Sequence, residues 1–257
     1  MSIYHHFRQE EYEFIDQVVE WGEGVKTQYS PKISDFLDPR EQEIVKIVIG
    51  KNSELNVQFF GGAPFTERKR VLLYPTYFQP KEDDFQLCLF ELKFPSKFVS
   101  FDHRDVLGTL MSLGLKRSKF GDILIKGDLI QLIVAKEISN YVKLNLQIIG
   151  RTPISLEEQD FSKIVKIAHE LQEKSITVSS MRLDVLLASV YNLSRQKVHP
   201  FIVNGNVKVN WKSIEYPAFE CQAGDTFSLR GFGRCKILSI EGKTKKEKWR
   251  IIVGFQK

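Results

Sequence analysis

Arg182, the Ser194-Arg195 pair and Lys197 are the side chains of this 257-residue chain whose types and spacing suit a chemical task, and the task is to grip an anion. Arg182 opens RLDVLLASV, where Leu183, Leu186, Leu187 and Val190 follow the three-four spacing of a helix with one apolar face. Ser179 or Ser180 is placed to cap that helix. A second helix is predicted from Ser194, whose hydroxyl can accept from the orphan amides of the first turn, with Arg195 and Lys197 inside that turn. A cation beside a helix amino terminus works against the macrodipole, so basic residues at two neighbouring helix starts point to an anionic ligand, phosphate first. Phe201 and Ile202 complete the apolar face, and Asn204-Gly205-Asn206 turns the chain into a strand where Val207 and Val209 alternate with Lys208 and Asn210. The plainer alternative is that Arg182 and Arg195 are ordinary solvated residues at helix ends.

Charge is partitioned along the chain. Residues 176–257 hold 14 Lys and Arg against 6 Asp and Glu, net +8, whereas residues 1–175 hold 23 against 26, net −3. A localised positive field attracts polyanions and makes binding fall steeply with salt through counterion release. The KTKKEK run at 243–248 reads either as a solvated hairpin tip or as a direct contact.

Stepping outward from these residues, 85–150 alternates its elements: a strand over Phe85–Phe94, a helix over His103–Leu113 with Val106, Leu107 and Leu110 on one face, and two strands around Lys126-Gly127-Asp128. A helix from about Lys136 and a strand over Leu146–Ile149 complete a βαββαβ order, the ferredoxin-like or RNA-recognition-motif (RRM-like) arrangement. The third strand, LIQLIV, has no aromatic residue, which argues against base stacking on this sheet. Arg104 in the first turn of the helix, with Lys116, Arg117 and Lys119 in the loop after it, could hold a phosphate backbone. The same cluster also reads as a solvated loop whose cations suit a helix end.

The first 84 residues predict a helix over Glu10–Trp21 with Phe14, Val18 and Trp21 on one side, and a second helix from Asp38-Pro39 to Ile49. Strands over Val57–Phe60 and Val71–Tyr74 flank GGAPFTERKR, where Gly61-Gly62, Arg68 and Arg70 could approach a phosphate, though a simple turn is the stronger reading. A connector, FSKIVKIAHELQEK, predicts a helix with Ile164, Ile167, Ala168 and Leu171 on one side. The division expected is 1–84, 85–175 and 176–257.

Several classes are set aside. No apolar run approaches the roughly 20 residues of a membrane span, and no signal peptide opens the chain, so a cytoplasmic protein without a membrane partner is expected. Cys88, Cys221 and Cys235 form no CxxC pair, which points to packing rather than a disulfide or zinc site. Neither HExxH nor a Walker loop is present, Gly231-Phe232-Gly233 lacks the third glycine of a dinucleotide fingerprint, and the five histidines are scattered. No catalysis, metal or cofactor is expected.

The stretch from Arg182 to Asn210, continued through AGDTFSLRGFGRC, resembles the small RNA-binding domain named after ribosomal protein S-four. The resemblance implies that Arg182, Ser194 and Arg195 contact RNA phosphates. Through SSMRLDVLLASVYNLSRQKV, HRDVLGTLMSLGLKRSKFGDI and FFGGAPFTERKR the whole chain resembles the YlmH family of bacterial RNA-binding proteins. The fold expected is α+β in three small domains: an N-terminal α/β unit, the central ferredoxin-like domain and a C-terminal S-four-type (αL) domain. The family resemblance further implies association with the large ribosomal subunit, with rRNA and peptidyl-tRNA as ligands, in ribosome-associated quality control of stalled nascent chains. The expected RNA-binding set is Arg182, Ser194, Arg195, Lys197, Lys208 and Asn210, joined by Arg104, Lys116, Arg117 and Lys119. Two alternatives stand beside it: an RNA-modifying enzyme of the pseudouridine-synthase kind, and an adaptor whose acidic front portion binds cell-division proteins.

Overall fold

A computed structural model describes residues 4, 7, 9–50, 54–166 and 171–256, and the chain divides into two units, Met1–Ile167 and Ala168–Lys257. The first unit starts with α1 (Tyr12–Gln28), longer than the sequence suggests. Its buried stripe is Ile15, Val18, Gly22 and Val25, and Gly22 sits there because a Cβ would lie 2.9 Å from Ile49 Cδ1. Phe14 and Trp21 only edge this core, meeting each other edge-on at 6.0 Å. A strand not foreseen, β1 (Lys32–Leu37), leads to α2 (Pro39–Ile49). The start of α2 is the expected one: Asp38 accepts from the Glu41 amide at 2.9 Å, Glu41 accepts from the Asp38 amide at 2.6 Å, and Pro39 occupies the first turn. The antiparallel strands β2 (Leu55–Phe60) and β3 (Lys69–Pro75) complete a sheet in the order β1-β3-β2.

The rest of this unit runs β4 (Leu87–Lys93), α3 (His103–Ser112), β5 (Phe120–Lys126), β6 (Leu129–Ala135), α4 (Lys136–Asn145), β7 (Ile148–Ile149), β8 (Thr152–Pro153) and β9 (Ser155–Gln159). Its antiparallel sheet has the order β5-β6-β4-β9, the ferredoxin-like arrangement. The fourth strand is β9 and not Leu146–Ile149. Leu146 and Ile149 are apolar because they fill the core under the helices, and β7 forms only a short ribbon with β8.

The run LIQLIV in β6 has a simple cause. Ile130, Leu132 and Val134 face the core shared with Val106, Leu110 and Val142 of the helices, while Ile133 and Ala135 face a second core with Phe36 and Val165. A strand buried on both faces reads as continuously apolar. The sheet face that an RNA-recognition motif would present to bases is therefore covered by Phe36 of β1 and by the 161–165 segment.

That segment corrects the connector helix. Phe161–Lys163 makes a single 3-10 turn and Ile164 leaves it in an extended conformation. Ile167 and Ala168 lie outside the described residues, and Leu171 begins a strand. The helical periodicity is overridden by tertiary partners: buried Gln131 accepts from Val165 N at 2.8 Å and donates to the Lys163 carbonyl at 3.0 Å.

The second unit contains β10 (Leu171–Val178), α5 (Leu183–Val190), α6 (Arg195–Val203), β11 (Val207–Val209), β12 (Lys212–Ser213), β13 (Thr226–Leu229), β14 (Gly233–Lys243) and β15 (Trp249–Gln256). The sheet order is β10-β15-β14-β13-β11-β12. Its core joins Leu183, Leu186, Leu187, Val198 and Ile202 of the helices to Val207, Val209, Phe227, Ile237 and Val253 of the strands. Among the described residues no helix is long and apolar enough to cross a membrane.

Candidate nucleic-acid interface

Arg182 stands immediately before α5, at the N-cap position, with φ −68° and ψ 142°, and its side chain makes no capping bond. Neither Ser179 nor Ser180 supplies the cap. The first amides are satisfied by backbone instead: Leu183 N donates to the Phe219 carbonyl at 2.8 Å and Asp184 N to the Pro217 carbonyl at 3.1 Å. The 217–221 segment thus fixes where Arg182 emerges, and an isolated bridge between Arg182 and Glu220 adds to the hold. At the start of α6 the expectation from sequence is met, since Lys197 N donates to Ser194 Oγ at 3.3 Å.

Both arginines meet at Asp184. Arg182 donates from Nε to Oδ1 at 3.1 Å and from a terminal nitrogen to Oδ2 at 3.1 Å, and Arg195 donates from Nε to Oδ2 at 3.1 Å and again from a terminal nitrogen. The Asp184 side chain is 6% exposed, whereas those of Arg182 and Arg195 are 42% and 58% exposed. Burial opposes ionisation of Asp184, but the hydrogen bonds from Arg182 and Arg195 outweigh it and hold the carboxyl below its ordinary range. The same bonds raise the Arg182 pKa. One anion therefore aligns two cations, spending some donors of each fork and leaving one net positive charge at the surface. The signal for this in the sequence is the Asp of RLD, two residues after Arg182 and eleven before Arg195.

The other expected residues divide. Lys197 is exposed on the helical side of the unit. Lys208 is also exposed but lies on the sheet face turned away from the helices, because its neighbours Val207 and Val209 are buried. Asn210 is corrected to a structural role: its amide nitrogen donates to Asp225 at 2.8 Å and its oxygen accepts from Thr226 N at 2.9 Å. Gly224-Asp225 forms a turn before β13, with Gly224 at φ 94° and Asp225 also accepting from Gln222 N at 2.7 Å.

In the central domain, Arg104 and Lys116 are exposed. Arg117 and Lys119 are not available as expected. Arg117 donates to the Phe120 carbonyl at 2.6 Å and the Gly121 carbonyl at 3.2 Å, and burial followed by nearby Arg68 pulls its pKa down to about 10. Lys119 pairs with Asp35 and with Glu137 at 2.9 Å, joining β1 to α4. The GGAPFTERKR loop is likewise consumed by structure. Arg68 donates to the Phe36 carbonyl at 2.8 Å, and Arg70, 3% exposed, donates to the Ser34 carbonyl at 2.6 Å and the Gln86 carbonyl at 3.0 Å. Asp122 accepts from the amides of Glu67 at 2.6 Å and Arg68 at 3.1 Å. These basic residues weld the two halves of the unit together.

The KTKKEK run is a hairpin tip between β14 and β15, with Lys243 paired to Glu247 at 2.8 Å. Cys88, Cys221 and Cys235 are buried and free, and burial pushes each thiol up to about 12, as suits packing residues.

Three family profiles match the chain: "YlmH, N-terminal" over residues 10–78, "Putative RNA-binding domain in YlmH" over 80–163 and "S4 domain" over 181–227. The chain is 47% identical over 256 residues to "Ribosome-associated protein quality control protein P2" of Bacillus subtilis (strain 168), spanning 100% of this chain and 99% of that one. A solved structure, "Cell division protein ylmH from Streptococcus pneumoniae", is similar with a TM-score of 0.56 and 35% identity, covering 64% of this chain and 100% of that one.

Proposed function

We propose, because this chain belongs to the YlmH family, that it is a non-catalytic cytoplasmic protein that binds RNA on the large ribosomal subunit. Ribosomal RNA and peptidyl-tRNA are its ligands, and its task is quality control of stalled nascent chains. The name of the Bacillus relative supports the ribosomal setting. The observation that carries the RNA contact is the pair Arg182 and Arg195, held by one buried carboxylate with both arginine side chains largely open to solvent. Phosphate oxygens accept from such forks in a fixed orientation, and Ser194 and Lys197 stand beside Arg195 at the start of α6. The field of the second unit, net +8 from residue 176 onward, brings the polyanion in.

Co-sedimentation with purified large subunits tests this. Reversing both charges would crowd two further carboxylates against Asp184, so the informative variant is Arg182→Gln with Arg195→Gln, paired with a second version that adds Asp184→Asn. Both should lose subunit binding while keeping a cooperative melt, and the salt dependence of residual RNA binding should flatten by roughly two units of log-log slope. A folded double variant that sediments like the wild type refutes the assignment. The adaptor reading has one support, the cell-division name of the Streptococcus neighbour. It would gain if a protein partner were captured equally by wild type and double variant.

A further inference from the structure

The two-residue turn between β11 and β12 consists of Asn210 and Trp211, both left-handed, with φ 48° and 63°. Such a turn matches the twist of a hairpin, and its second position ordinarily falls to glycine. A bulky side chain there is unfavourable, so the indole is displayed at a conformational cost that packing alone would not require. Trp211 is half-buried, and the Arg234 guanidinium lies over the ring, 5.4 Å from its centroid, which leaves the other ring face for a ligand.

Strand register shows what surrounds it. Lys208 is paired with both Ser213 and Ser228, and Ser228 with Arg234, so these side chains share a face. Thr226 pairs with Lys236, which pairs with Gly254, and continues the same face. Residues of the opposite parity, Val207, Val209, Phe227, Cys235 and Ile237, are buried beneath the helices. The outer face is therefore a shallow floor of Ser, Thr and Gly with Lys208, Arg234 and Lys236 rising from it and Trp211 at its rim. Asp225 at the edge is engaged by Asn210 and Gln222, and Glu173 stands two strands away on β10. Cations that track a backbone, next to an aromatic plane, are what single-stranded nucleic acid requires.

We propose that this open sheet face is a second RNA-binding surface, on which Trp211 stacks an unpaired base while Lys208 and Lys236 hold the flanking phosphates. The inference rests on the RNA-binding reading above but uses a different face from Arg182 and Arg195. It explains why a tryptophan occupies a glycine position.

The test uses the full chain and single-stranded oligouridylate, with affinity read by fluorescence anisotropy across a salt series. Trp211→Gly should melt at the wild-type temperature or above it, because the turn is relieved, yet bind oligouridylate about five- to one-hundredfold more weakly. Trp211→Phe should retain most of the affinity. Lys208→Ala with Lys236→Ala, which leaves the turn untouched, should weaken binding and reduce the salt slope by roughly two. If Trp211→Gly and the lysine pair both bind like the wild type, the surface is not an RNA site and the proposal is overturned. Oligouridylate binding unchanged in those two variants, with large-subunit binding still lost in the Arg182/Arg195 variant, would overturn only this inference. Oligouridylate binding that depends on Trp211, in a chain that never sediments with large subunits, would instead overturn the ribosomal reading and leave this one standing.

Discussion

Arg195 donates twice to the carboxylate of Asp184, from Nε at 3.1 Å and from a terminal nitrogen, although Asp184 is 4% exposed and the arginine side chain is 58% exposed. Within one ion pair the acid is thus buried and the base is left to solvent. Arg182 completes the arrangement from the preceding helix start. An arginine that must meet a ligand in one orientation loses less freedom on binding if its fork is already aligned, and the cost of the alignment is carried by a carboxylate that solvent hardly reaches.

The Asp184 carboxyl gives the second unit an acid-sensitive contact. Its folded pKa lies below the unfolded value of about 3.9, so the unfolded chain takes the proton first and the contribution is complete above about pH 4. It disappears as pH falls through the folded value. Denaturant midpoints measured from pH 6 downward should decline in this window for the wild type, and Asp184→Asn should lower the midpoint at pH 6 while flattening that decline.

Gln131 stands in an otherwise apolar strand because it terminates the backbone of the segment lying over the sheet. Gln131→Leu matches the local hydrophobicity but strands Val165 N and the Lys163 carbonyl. Each buried orphan costs about 1–3 kcal/mol, so the variant should be less stable by about 2 kcal/mol or more in urea unfolding.

At Gly121, β5 packs directly against Phe36 of β1. A Cβ there would lie 2.8 Å from Phe36 Cε1 and 3.1 Å from Ile133 Cβ. Gly121→Ala should therefore destabilise the first unit by about 1–3 kcal/mol. Phe36→Leu in the same chain should recover part of that loss, and a double-mutant cycle by thermal melts reads the coupling.

Lys119 and Lys116 are neighbours in a basic loop with different tasks. Lys119→Ala removes bonds to Asp35 and Glu137 and should cost about 1 kcal/mol of stability without changing RNA affinity or its salt slope. Lys116→Ala and Arg104→Ala should leave stability within about 0.5 kcal/mol. Any RNA contact made by the central domain would appear as a weaker affinity in those two variants, because their side chains are exposed.

Local rules legible in the sequence survive wherever the governing partners are close along the chain. The capping box at Asp38 and Glu41, the Ser194 cap, the turn at Gly205 and the alternation of Val207 and Val209 around Lys208 all involve residues within a few positions of each other. The βαββαβ order was equally readable, since hydrophobic period follows each element's own exposure. Apolar runs were less faithful. Leu146–Ile149 has the composition of a strand, but its Leu146 and Ile149 fill the core beneath the helices and Ile148 is exposed, and Leu171 continues a helical period yet pairs with Gln256.

Sequence by itself determined the basic end of this protein and the two helix starts that carry Arg182 and Arg195, because charge and capping are written in residue types and short spacings. Only the tertiary structure decided which cations remain available. Arg70 and Lys119 carry the same unit positive charge as Arg195, but partners 67 and 84 positions away along the chain consume them. Asp184 ties Arg182 and Arg195 together while leaving both in solvent. The free energy of a charge depends on what surrounds it in space, and a chain fixes those surroundings only once it has folded.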